Sequence, residues 1–450
     1  MASPIFHLSG SIVVLPVLHG SGDFALEVQE RVRAGPYDCL AVPLPPAFEE
    51  GVDEAVGRLP GVHIVAQPEG GMTSDPTSYT SVPIDPCQPV ITGIRCALDR
   101  GIPRSYIDLE VGCFVEQAMV HPDPYAIKEV PLEKFAAAVL TGLPRPEDGS
   151  QQIERIHWMA FQLHRLELDF DRILFLCDIA DWPWIRDAYR RRLQFPNPSP
   201  PPLPPEIYRA APENLYFVLG ELPFITSLYE HRRAEMLPAR TLAVDGVKAL
   251  LLEARSAWLK KHDLKTHWLT PQALSLMLQY IRNLTLLDRR LTPDLYTLAL
   301  AAKQVAGDDF AVTVIETARD YPPQRVPTIY PEVHLGIGTA AFPSGEAVVK
   351  DRLKGVATDW RTLPLRPTPP PEKKTQWRMQ WDPNQQCSYP PEDEKIESFN
   401  AHVREQARQI IGQDLARSEK FTASLKDGLD IRETLRNWHT GDIYVKEMPP

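Results

Sequence analysis

The feature that most constrains this chain is a set of short, fully apolar runs, spaced through the first 190 residues and separated by amphipathic stretches. Ser11–Leu18 (SIVVLPVL), Asp38–Leu44 (DCLAVPL), Val62–Ala66 (VHIVA) and Arg172–Cys177 (RILFLC) lack the alternation of a half-exposed strand. Ser105–Val111 (SYIDLEV) reads as a further strand after the turn Gly101-Ile102-Pro103. Asp23–Arg33, Glu49–Leu59, Val90–Arg100 and Gln151–Leu166 carry helical spacing between them. Strands apolar on both faces, joined through helices, predict an α/β fold with a parallel sheet covered by helices on both faces.

Proline punctuates the rest. The chain has 46 prolines in 450 residues, about twice the usual share, and FPNPSPPPLPP breaks the pattern after Phe195. The organisation read from these signals is an α/β domain over 1–194, a proline-rich linker over 195–205 and a helical domain over 206–320. A Pro/Gly-rich wrapping segment over 321–375 follows, then a helical extension over 376–450 that ends in a strand. Helices are expected at Phe224–Met236, Thr241–Lys261, Thr270–Leu287, Thr292–Ala306 and Asp309–Asp320. Two of these open on Thr-Pro, an N-cap followed by proline in the first turn. A long helix over 393–426, a shorter one over 431–438 and a strand over 442–446 complete the reading.

Composition narrows the function classes. A net charge of −11 and no basic stripe beyond Arg190-Arg191-Arg192 argue against nucleic acid or an anionic membrane as partner. Six scattered cysteines without C-x-x-C form neither a disulfide framework nor a zinc knuckle. With no signal-peptide pattern at its start and no run of about 20 apolar residues, the chain is expected to be cytoplasmic.

Three strand ends carry candidate chemistry, because open parallel sheets place their sites at the C-terminal ends of their strands. His19 follows the first run within His19-Gly20-Ser21-Gly22, where Gly20, Ser21 and Gly22 offer a tight turn with amides for an anion. Asp108 and Glu110 are placed on one face of the Ser105–Val111 strand. Asp178 and Asp181 follow RILFLC, Asp181 also being positioned to cap the helix Pro183–Arg192. The candidate catalytic residues are thus His19, Asp108 and Asp181, with Gly20, Ser21, Gly22 and Asp178 as candidate ligand contacts. His157 and His164 are seven apart, too far for one ion, and are read as helix surface. Glu221 and Glu230, near Arg232 and Arg233, are read as interface ion-pair residues. G-x-x-x-x-G-K-[ST], G-x-S-x-G and H-E-x-x-H are all absent.

Val13–Gly22 (VVLPVLHGSG), Gly101–Val111 (GIPRSYIDLEV) and Arg172–Ile185 (RILFLCDIADWPWI) resemble segments of the TraB/Tiki/ChaN-like superfamily, which includes erythromycin-esterase-like proteins. The resemblance covers residues 10–190 and implies a hydrolase-like fold with a histidine-centred site. Where the superfamily pairs an acid with the first histidine, this chain has Pro16-Val17-Leu18; where a late Gly-x-x-His is usual, it has Asp178-Ile179-Ala180-Asp181. With those ligands gone, the resemblance implies a fold kept and a chemistry lost. The reading is a non-catalytic scaffold that binds other proteins through its helical domain and terminal edge strand, with no resident metal or cofactor. The alternatives are a hydrolase using His19 with Asp108, Asp178 or Asp181, and a haem or small-molecule binder with His19 as axial ligand.

Overall fold

The computed structural model describes residues 6–69, 77–117, 121–195, 203–235, 242–261, 269–325, 329–355 and 361–365, with two further strands at 417–420 and 444–447. By their internal packing, residues Met1–Pro367 form one compact unit and Thr368–Pro450 another.

The first unit begins β1 (Ile12–Val17), α1 (Gly22–Ala34), β2 (Cys39–Val42), α2 (Glu49–Val56), β3 (His63–Pro68), β4 (Ser78–Ile84), α3 (Pro89–Arg100) and β5 (Arg104–Tyr106). Next come α4 (Leu132–Leu140), α5 (Gln151–Leu166), β6 (Ile173–Asp178), α6 (Trp182–Arg191) and β7 (Glu206–Ala210). The helices α7 (Pro223–Ala234), α8 (Leu242–Lys261), α9 (Pro271–Leu287), α10 (Leu295–Ala306) and α11 (Asp308–Arg319) follow. Strands β8 (Glu332–Leu335), β9 (Thr339–Phe342) and β10 (Gly345–Asp351) close it.

The parallel sheet has the order β1-β6-β2-β5. Every residue of β2, and all but the last of β6, is buried, so both faces are covered and an uninterrupted apolar run is what such strands require. Right-handed crossovers put the helices of the two forward connections on one face and those of the return connection on the other. In keeping with that, α1 packs on α3 and α5 on α6. Gly93 lets α3 approach closely, since a methyl there would meet Leu176 at 2.5 Å.

The second sheet departs from the expectation. Strands β10-β4-β3-β7-β8-β9 form a closed barrel. The run at Val62–Ala66 belongs here, antiparallel to β4 and β7, and not in the parallel sheet. Residues expected to wrap as an irregular segment supply β8, β9 and β10 instead. Tyr79 stacks on Phe342 inside, with Tyr208 edge-on. Closure removes the exposed edges that short strands leave.

The helical part is α7–α11, built around Leu250, Met277, Leu298, Phe310 and Val314, all fully buried or nearly so. Thr270 caps α9 as its sequence suggests, accepting from the Ala273 amide at 3.2 Å. Thr292 does not cap α10. Asp294 does, accepting from Thr297 at 2.8 Å, while the Thr292 amide and hydroxyl both donate to Asp123. A carboxylate is the stronger acceptor at the positive end of a helix.

In the second unit, β11 (Arg417–Lys420) and β12 (Tyr444–Glu447) pair antiparallel. The expected helix over 393–426 is therefore corrected at 417–420, where the chain is extended; its remainder and the helix over 431–438 lie outside the described residues. The terminal strand thus finds its partner within the chain. No helix among the described residues is long and apolar enough to cross a membrane.

Candidate functional site

Register builds the site. Parallel pairing sets Val17 opposite Asp178, and the Ile179 amide donates to the Val17 carbonyl at 3.0 Å. His19, two residues on, is thereby brought beside Asp178. At the far side of the same edge, the Asp108 amide donates to Leu44 at 3.0 Å. The C-terminal edge of the sheet therefore gathers His19, Asp178, Asp181 and Asp108.

The barrel delivers the rest. β10 ends at Asp351, and the next residues leave the rim, held by Arg352 N–H donating to Ser81 at 2.9 Å and Leu353 N–H to the Asp351 carboxylate at 2.8 Å. A cavity of about 40 Å³ lies where the two meet, lined by His19, Pro43, Arg155, Asp178, Asp181, Asp351 and Arg352 among others. That is room for a few waters or one small functional group.

His19 is buried, with both ring nitrogens engaged. Gln88 fixes its tautomer: the Gln88 amide NH₂ donates to Leu353 O at 3.0 Å, so its carbonyl oxygen faces His19 Nδ1 at 3.1 Å and accepts its proton. Nε2 then faces Asp178 Oδ2 at 3.4 Å. A neutral ring would turn a lone pair on a carboxylate, so protonation is favoured. Burial alone would lower the His19 pKa; the Asp178 hydrogen bond and charge, with Gln88 and Asp351, outweigh it and raise the value. Burial likewise pushes against ionisation of Asp178, and His19 overrides it, so the carboxylate is held below its usual range. His121, which no sequence pattern marks, also feels the charges of Asp178 and His19.

Two other acids go the opposite way. Burial, and then the charge of Asp178, raise Asp181. Burial raises Asp351 to about 7, against the amide of Leu353 and the charge of His19. One strongly acidic carboxyl and two weakened ones thus surround a single cavity. Groups with pKa values pushed apart in this way divide acid and base roles.

Asp108 does not face the cavity. It is fully buried and accepts from Arg155 Nε and Nη2 at 2.8–3.0 Å. Its neighbour Glu110 accepts from the Ala47 amide at 2.6 Å. The strand β5 stops at Tyr106, so the two acids are not paired on one strand face as expected. Asp181 sits at the start of α6, yet its side chain makes no cap; it accepts from Gln152 at 2.7 Å.

The glycine loop does a different job from the one expected. Ser21 caps α1 through the Phe24 amide, and the Gly22 amide donates to Glu221 at 3.1 Å. Gly20, at φ +71°, lies against Gly220 and Gly355 with no room for a side chain on Gly220. These glycines let three backbones meet under His19, and the Gly22 amide and Ser21 hydroxyl are already engaged.

Of the acids read as ion-pair residues, Glu230 pairs with Arg95 at 2.8 Å and Arg233 at 3.1 Å. Glu221 instead is held at about 8 by burial, opposed by the Gly22 amide and reinforced by Asp23 and Asp85. His164 stacks on Tyr189, its Nε2 3.0 Å from the Tyr189 carbonyl.

No family model, curated protein or solved structure matches the chain. The functional reading therefore stands on the crevice itself. As for metals, among the described residues only Glu213, Glu332 and His334, all exposed, bring three ligand atoms within 4.8 Å of one another. Exposed acids group in this way without an ion.

Proposed function

We propose that the crevice is the active site of an acid–base hydrolase, with Asp178 and Asp351 as its two working carboxyl groups. The observation that carries this is the opposed titration of two acids on one cavity. Asp178 is kept ionised by His19, and Asp351 retains its proton up to about neutral pH. Asp178, with 30% of its side chain exposed, faces the cavity as the charged group that orients water or stabilises an electron-poor centre. Asp351 gives its proton to the departing oxygen or nitrogen and recovers it from the attacking water. His19 holds Asp178 in its ionised form, and Gln88 holds His19.

Burying so many charges is destabilising unless they work together, which favours an active site over a relic. We read the chain further as a divergent relative of the TraB/Tiki/ChaN-like superfamily, on the segments Val13–Gly22, Gly101–Val111 and Arg172–Ile185. The haem reading is not favoured, since neither nitrogen of His19 is free and the cavity is far smaller than a porphyrin. The alternative of a non-catalytic assembly component draws on exposed Leu276, Leu286 and Leu287 of α9, and on β11 and β12, which among the described residues pair only with each other.

The test is hydrolysis of p-nitrophenyl esters, phosphates and glycosides by the full chain. The expected result is turnover of one class, falling as pH rises through about 7 and reduced about 10²–10⁴-fold by Asp178→Asn or Asp351→Asn. Folded protein turning over none of them, or equal rates in the folded variants, would favour the assembly reading.

A further inference from the structure

We infer that Arg352 is a built oxyanion subsite of the crevice, which takes a phosphate or carboxylate group on the substrate. This rests on the catalytic reading only for the word substrate; the binding itself does not need it. Arg352 is 6% exposed, and its Nε and Nη2 are buried without any hydrogen-bond partner. Nη1 reaches Asp108 at a long 3.5 Å. Asp108 is already satisfied by the two-pronged contact from Arg155 and by the Leu109 amide. The side edge of the guanidinium, Nε with Nη2, is the fork that matches two oxygens of a carboxylate or phosphate.

The fork is held in place. The guanidinium carbon lies 4.7 Å from the centre of the Phe114 ring and 5.2 Å from that of Phe48. The backbone on both sides is pinned by Ser81 and the Asp351 carboxylate. Asp108 supplies a counter-charge at 3.5 Å, but two buried N–H groups left without an acceptor are costly to keep. Arg155 and Lys354 line the same cavity. The facing acids are Asp178, Asp181 and Asp351, of which the last two hold protons more tightly than usual, so below about pH 6 an arriving anion meets one full negative charge rather than three.

The experiment uses the full chain and two probes, inorganic phosphate and acetate, titrated by calorimetry. In parallel, the Nε–H resonances of ¹⁵N-arginine-labelled wild-type protein are followed. One probe should bind saturably with Kd ~1 mM or tighter, shifting a slowly exchanging Nε–H signal, and the tighter of the two identifies the group. Arg352→Lys keeps the charge and loses the fork, so it should weaken binding about tenfold or more. His19→Gln should still bind the anion while losing turnover, which separates this inference from the catalytic one. Wild-type protein that binds neither probe, or anion binding undiminished in a folded Arg352→Lys protein, would overturn the subsite. If Arg352→Lys does not fold, the wild-type resonance decides alone: a saturable shift supports the subsite, and its absence sinks it.

Discussion

The parallel sheet and the barrel meet at one crevice but bring opposite things to it. The sheet contributes positions fixed by register: His19 and Asp178 sit side by side because Val17 pairs with Asp178. The barrel contributes a single strand end, Asp351-Arg352, carried in by β10 from more than 170 residues downstream of Asp178. The sheet alone would offer an ionised His–Asp pair and the buried Asp181, without the more weakly acidic Asp351. The barrel alone would offer an acid and a cation with nothing to act beside. A site of this kind forms only when an open parallel sheet and a closed barrel are locked together, and the lock can be tested.

The largest effect is expected at Asp108. Its carboxylate, at the sheet end of β5, accepts from Arg155 and lies 3.5 Å from Arg352 of the barrel segment. Replacing it with Asn leaves two buried cations without their counter-charge, and should destabilise the protein by about 3–5 kcal/mol in chemical denaturation. A loss under about 1 kcal/mol would mean that water reaches these groups and that the lock is loose.

Gly220→Ala probes the same junction without touching charge. A methyl there falls on the backbone of Gly20, while Gly355 lies so that its own Cβ would come within 2.8 Å of the His19 carbonyl. The expected cost is about 1–3 kcal/mol, with a disturbed His19 environment. Normal stability would show that the three backbones are not in contact.

Stability against pH sharpens the contrast next. Asp85 at about 6, Asp351 at about 7 and Glu221 at about 8 all have raised values in the folded chain. The unfolded chain gives up these protons at lower pH. The stability they contribute is therefore complete below the ordinary carboxylate range and is lost as pH rises through about 6–8, each tenfold gain in proton affinity on folding being worth up to ~1.4 kcal/mol. The melting temperature should fall across that window, and Glu221→Gln should flatten the fall. A protein more stable at pH 8 than at pH 5 would contradict these assignments.

The smallest effect lies away from the junction. Thr270→Ala removes the cap of α9 and should cost about 1 kcal/mol with no change at His19. A shift at His19 would show that the helical part and the crevice are coupled.

The two sheets also differ in how far the sequence reveals them. A strand such as Ile173–Asp178, buried on both faces, is written as one apolar run, and its register then follows from its neighbours. The barrel strands are short and mixed. Ser78–Ile84 reads SYTSVPI, and Glu332–Leu335 reads EVHL. Each has one near partner and one far along the chain, β10 for β4 and β7 for β8, and only closure buries their inner faces, so no local period marks them. The site divides the same way. His19, Asp178 and Asp181 are legible as strand ends, whereas Asp351 and Arg352 look like a polar turn in a proline-rich stretch. Gln88 could not be singled out, because its role comes from the orientation that Leu353 imposes. The glycines of the first loop are legible as special, yet their reason is backbone contact with Gly220 and Gly355, which lie far along the chain.

The most direct test of the convergence is the titration of the His19 ring by NMR in the wild type and in Asp178→Asn and Asp351→Asn variants. The account predicts a His19 pKa above about 6.5 in the wild type, a large drop without Asp178 from the sheet, and a smaller but definite drop without Asp351 from the barrel. A His19 pKa unmoved in a folded Asp351→Asn protein would contradict it, since the sheet and the barrel would then not share one site.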